Sequence, residues 1–123
     1  MGRVYLSLAA FFGFTGVALG AFAAHGLKGR LTAAHLDVFQ TAVHYQQLHA
    51  LALLAVALLA ARGASRYLTV AGLVFGLGIV LFSGSLYLMT LAGLKLGPVT
   101  PLGGLLFLIG WACLGLHAWR RNV

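Results

Sequence analysis

From Val4 to Ala24 the chain runs without a charged side chain. A helix over that run reaches about 31 Å, the thickness of a bilayer's hydrocarbon core. Three more apolar stretches follow: one ending at Ala61, one from Leu68 to Leu94 and one from Leu102 to Trp119. A backbone in hydrocarbon must satisfy its own hydrogen bonds within the segment, which restricts each stretch to helix. The expected fold is an all-α membrane protein with four transmembrane helices. Its spans fall at about 4–24, 42–61, 68–94 and 102–119, within a single domain of residues 1–123. Charged residues make up only 7% of the chain, against roughly a quarter in soluble domains.

The few charges are one-sided: eight basic residues and one acidic, a net +7. They lie between apolar runs rather than in a patch with interleaved aromatics. That pattern fits anionic headgroups and the positive-inside rule and argues against nucleic acid as a partner. Four spans put both termini on one side, with Arg3, Arg62, Arg66, Arg120 and Arg121; Lys28, Arg30 and Lys95 fall on the other. The bias predicts cytoplasmic termini. Tyr5, Tyr67 and Trp119 sit near the same interface, as an aromatic belt should. The single cysteine, Cys113, excludes an intrachain disulfide, a CxxC zinc site and a CxxCH haem attachment. Arg3, the first apolar run and Ala21-Phe22-Ala23 also fit a signal peptide, whose cleavage near Ala24 would leave three spans; the run is longer than a usual signal core.

The stretch from His25 to His49 differs from the rest. It holds four of the five histidines, the only acidic residue, Asp37, and all three glutamines. Gly26 and Gly29 break the first helix, and Thr32 is placed to be the N-cap of the second. The second helix then runs unbroken to Ala61, yet its purely apolar part is only Ala50–Ala61. That is little more than half of the about 20 residues a span needs. The membrane therefore begins near Ala42, and the turns before it form an amphipathic helical extension. His44, Tyr45, Gln46, Gln47 and His49 then lie at the outer interface or inside the bilayer. Polar groups at such depth face protein or a wet cavity. On a helical wheel Asp37, Gln40, Thr41, His44 and Gln47 share one face; His35, Tyr45, Gln46 and His49 cover much of the other.

These residues define a candidate polar pocket of His25, Asp37, Gln40, His44, Gln47 and His49, able to hold a small polar solute, a lipid headgroup or a proton. Ser83 and Tyr87, four apart on the third helix, are possible contributors. The structural alternative pairs Asp37 with Lys28 or Arg30, lets the histidines and glutamines cross-link helices, and has Ser83 bond its own i−4 carbonyl. Gly16–x₃–Gly20 and Gly72–x₃–Gly76 offer small surfaces for helix approach. Gly76, Gly78, Gly84 and Gly93 would let the long third region bend. Thr100-Pro101 reads as an N-cap and first helical residue of the fourth span.

Other chemistries find less support. His44 and His49 are five apart, poor for one face, while His35 and His49 align about four turns apart without a specific ligand signature; no metal or cofactor is expected. The apolar runs contain no Asp or Glu for proton-coupled export. Nucleophile elbow, phosphate loop and paired carboxylates are missing, so an enzyme is not expected. The reading that remains is a small polytopic membrane protein acting by interaction, as an accessory or lipid-contacting component. Its partners are the bilayer and a second copy or another membrane protein. The runner-up is a carrier of a small polar solute or proton through the outer pocket.

The blocks GAFAAHGLKGRL, FQTAVHYQQLHALALL, LFSGSLYLM and GPVTPLGGLLFLIGW resemble the YgdD-like family of small membrane proteins, catalogued as domain of unknown function 423. Ala23 stands where that family's first block usually carries glycine. The resemblance implies a four-helix inner-membrane protein and brings no reaction, substrate or cofactor.

Overall fold

A computed structural model describes residues 2–120. They form four long helices, Gly2–His25, Ala33–Arg62, Arg66–Ala92 and Val99–Arg120, all long and apolar enough to cross a membrane. Arg121, one of the charges that orient the chain above, lies outside the described residues.

The first helix packs along the second, the third along the fourth, and the second and third join these two hairpins. The middle helices are therefore the inner ones. Half of each one's apolar window is buried (50%), against 17% for the first and fourth. The outer helices carry large exposed side chains, Phe14, Val17, Leu105 and Leu108 among them. In lipid these need no cover, because hydrocarbon is as apolar as a leucine side chain.

The first connection is tight for identifiable reasons. Leu27 is buried, and its carbonyl accepts from the backbone of Arg30 and Leu31. The turn passes through Gly29 at φ 87°, a left-handed geometry that favours glycine. Thr32 then caps the second helix as its sequence position predicts: Oγ1 accepts from the backbone N–H of His35 at 3.1 Å. The amphipathic extension and the second span are one uninterrupted 30-residue helix, about 45 Å long. Gly20 of the first helix lies against Val43. The first helix therefore ends near the level of Phe39, and the turns around Ala33–Leu36 stand beyond it.

The third helix widens rather than breaks. Ile79–Ser83 forms one π turn, entered from Gly78 and left through Gly84. Such turns shift the face that following residues present. Here the shift accompanies close contact with the fourth helix: a side chain on Gly103 would run into the backbone of Phe82, and one on Gly78 into the Phe107 ring. The fourth helix starts at Val99, so Thr100 is not its cap. Thr100 Oγ1 instead pairs with Ser85 Oγ across the helix contact at 2.6 Å. At the opposite end Ser65 caps the third helix through Leu68 N–H and pairs with His117 Nδ1 at 2.9 Å.

Two apolar clusters make the core. One gathers Leu53, Val56, Leu68, Phe75 and Phe107 with Tyr5 toward the chain-terminal end. The other gathers Ala23, Leu27, Phe39 and Val43 beneath the first connection. Between them the second helix contributes two buried polar residues, Gln46 and His49.

Candidate functional site

Gln46 is 3% exposed, and its amide joins three helices. Nε2 donates to the Phe12 carbonyl at 3.0 Å and to Thr15 Oγ1 at 2.8 Å, both on the first helix. Oε1 accepts from the Tyr87 hydroxyl of the third helix at 2.6 Å. The Phe12 carbonyl can only accept, which fixes the orientation of the amide. Both amide protons and the amide oxygen are engaged.

His49, one turn further, is closed in the same way. Trp111 Nε1–H of the fourth helix donates to its Nε2 at 3.0 Å. Its Nδ1–H donates to the Tyr45 carbonyl at 2.8 Å. Indole only donates and a carbonyl only accepts, so the ring is the neutral Nδ1–H tautomer. It stacks on Phe107 with centroids 3.6 Å apart and planes 7° from parallel. Neither nitrogen keeps a lone pair free for a metal or haem iron.

Ser83 and Tyr87 both turn toward the second helix. Ser83 Oγ, in the π turn, donates to the Ala42 carbonyl at 2.7 Å. The alternative in which it bonds its own i−4 carbonyl is therefore replaced by an interhelical bond. The Tyr87 ring packs on Phe39, with centroids 5.0 Å apart.

The six residues read as one pocket are not brought together. His49 points inward. Asp37, Gln40 and His44 lie on the outward face, where with Thr41 and Tyr45 they line an open concavity of about 330 Å³. Gln47 is half-buried, with its Cγ 3.0 Å from where a Cβ on Gly16 would lie. His25 ends the first helix and is exposed. Among the described residues Asp37 makes no ion pair with Lys28 or Arg30. Nor do three His, Cys, Asp or Glu side chains converge anywhere among them.

The wheel separates the two faces of the second helix as the sequence reading does, but the buried one carries Gln46 and His49. The neutral groups on that face find neutral partners: a hydroxyl, a phenol, an indole and backbone carbonyls. The outward face holds the one carboxylate, for which the core offers no cation. Thr15 and Trp111 are structural residues that sequence reasoning missed, and Gln46, placed at membrane depth by the sequence, was left out of the candidate pocket. A tryptophan in the middle of a span, away from the interfacial belt, was the available signal, because its N–H must find an acceptor there.

The family described as "Protein of unknown function (DUF423)" matches residues 19–104. The chain is 45% identical over 123 residues to a UPF0382 membrane protein of Haemophilus influenzae, covering 99% of this chain and 98% of the relative. It is 44% identical over 118 residues to the Bacillus subtilis UPF0382 membrane protein YwdK, covering 94% and 96%. It is 44% identical over 119 residues to the Escherichia coli UPF0382 inner membrane protein YgdD, covering 96% and 91%. No solved structure matches it. With four apolar helices and these relatives over nearly its whole length, the chain belongs to the DUF423 family of membrane proteins.

Proposed function

We propose that this protein works without catalysis, by docking laterally to another protein in the membrane through the outward face of its second helix. One observation carries the reading. The polar side chains inside the bundle are engaged with one another, and among the described residues no buried side-chain nitrogen or oxygen is left without a partner. Asp37, Gln40, His44 and Gln47, by contrast, form an outward line in which no side chain has a hydrogen-bond partner among those residues. A carrier needs polar groups that can exchange partners along a path, whereas Gln46 and His49 are fully occupied. A polar face that starts at the membrane edge with Asp37 and Gln40 and enters the span with His44 and Gln47 is what a neighbour would recognise.

The excess of arginine at the chain-terminal end supports cytoplasmic termini, which puts this face near the outer surface. A membrane-impermeant thiol reagent that labels an Arg120→Cys variant in sealed cells would reverse that orientation. The docking reading is tested with a photo-cross-linking amino acid in place of His44, compared with one in place of Leu105, which is 53% exposed on the fourth helix. Protein adducts from position 44 and not from 105 are expected. Equal yields from the two positions, or adducts to lipid alone, would overturn the reading.

A further inference from the structure

Resting on that docking reading, we infer that the occupant of this face is a second copy of the same chain, joined about a two-fold axis by the Gln47 amides. Gln47 opens into a groove of about 440 Å³ between the first and second helices, lined by Leu6, Gly13, Val17, Ala50 and Leu51. It is the only polar side chain among the groove's lining residues.

Its depth matters. The first helix, Gly2–His25, has its midpoint beside Gly13. The Gln47 side chain lies beside Gly16 and Gly20: a Cβ on Gly16 would stand 3.0 Å from its Cγ, and one on Gly20 4.0 Å from its Nε2. Those levels are about 4 and 10 Å from the midpoint, inside the roughly 15 Å half-thickness of the hydrocarbon. An amide there has two donors and an acceptor and no water to meet them. Among the described residues it has no hydrogen-bond partner.

A lipid chain could fill the groove but would leave the amide unpaired. Another Gln47 meets its oxygen and one of its two N–H groups. A primary amide is self-complementary, and a two-fold axis brings two of them into reciprocal N–H···O bonds, so each copy supplies what the other lacks. Gly13 is consistent with this. A Cβ placed there meets nothing within 4 Å, so the packing of the single chain does not call for a glycine. A neighbouring helix entering the groove would use that space.

The test uses the full chain in liposomes of phosphatidylethanolamine and phosphatidylglycerol, with donor and acceptor dyes on Arg120→Cys in a Cys113→Ser background. Energy transfer is followed as the protein is diluted with lipid. Wild type is expected to fit a monomer–dimer equilibrium. Gln47→Leu is expected to weaken it about tenfold, from two average interhelical hydrogen bonds. Gln47→Asn should retain part of the association. Gly13→Leu, which has room within the monomer, should abolish transfer without changing helix content. Wild type that stays monomeric at every dilution overturns the pairing, as do variants that associate like wild type. Co-purified lipid lost in Gly13→Leu, with no transfer in wild type, assigns the groove to an acyl chain and also overturns it. If wild type is monomeric but position 44 still cross-links to a different protein, the pairing falls and the docking reading stands; if neither signal appears, both fall.

Discussion

Gln46 and Gln47 are adjacent and chemically identical, yet replacing each by leucine should have opposite consequences for the single chain. Gln46→Leu removes three hydrogen bonds, to Phe12, Thr15 and Tyr87. At the membrane average of about 0.6 kcal/mol each they sum to about 2 kcal/mol. The substitution also strands the Tyr87 hydroxyl, which keeps no other acceptor, at a further cost of about 1–3 kcal/mol. The expected loss is thus about 3–5 kcal/mol. Among the described residues Gln47→Leu removes no hydrogen bond, and because it takes an unpaired amide out of the hydrocarbon it should leave stability unchanged or raise it. A double variant, Gln46→Leu with Tyr87→Phe, removes the stranded hydroxyl and should cost less than the sum of its parts, with a coupling of about 1–3 kcal/mol. Unfolding by sodium dodecyl sulfate in mixed micelles, followed by circular dichroism under monomeric conditions, measures the wild type and these variants. A Gln46→Leu protein within about 0.5 kcal/mol of wild type, the range of an ordinary surface substitution, would refute the three-helix role of the amide. A Gln47→Leu protein as unstable as Gln46→Leu would refute the division of the helix into a closed face and an open one.

Trp111→Phe keeps an aromatic ring in the cluster but leaves His49 Nε2 without its donor; the same titration should report a loss of about 1–3 kcal/mol, and a variant as stable as wild type would mean that the indole N–H contributes nothing. Gly103→Ala drives a methyl group into the backbone of Phe82, whereas Gly115→Ala meets open space. The first should destabilise by about 1–3 kcal/mol through overpacking where the third and fourth helices cross, and the second should be neutral or stabilising by up to about 1 kcal/mol, measured by thermal unfolding in detergent. Equal effects from the two would contradict the close approach at Gly103.

Much of the architecture is legible in the chain because hydrocarbon leaves the backbone so few choices. Uncharged runs of about 20 residues become helices, and Thr32 after a glycine-broken turn becomes a cap. The short apolar part of the second helix, Ala50–Ala61, likewise implies that its polar turns enter the membrane. What periodicity cannot decide is which of two polar faces turns inward, since a wheel treats Gln40 and Gln46 alike. Partner supply on the other helices decides it. Across the bundle the second helix meets Thr15, Ser83, Tyr87 and Trp111: neutral donors and acceptors that can close an amide, an imidazole and a backbone carbonyl, and nothing that can neutralise a carboxylate. Burying Asp37 would strand a charge at a cost of several kcal/mol, while burying Gln46 and His49 strands nothing. The π turn serves the same end. It carries Ser83 Oγ to the Ala42 carbonyl and sets the turn that brings Tyr87 to Gln46. The outward face is the set of polar groups that find no partner among the described residues, and Gln47, half-buried beside Gly16, is the member of that set placed deepest in the hydrocarbon. An unmatched amide at that depth is what the proposed pairing would relieve, and it is the position at which that association should be most sensitive to the loss of a single side chain.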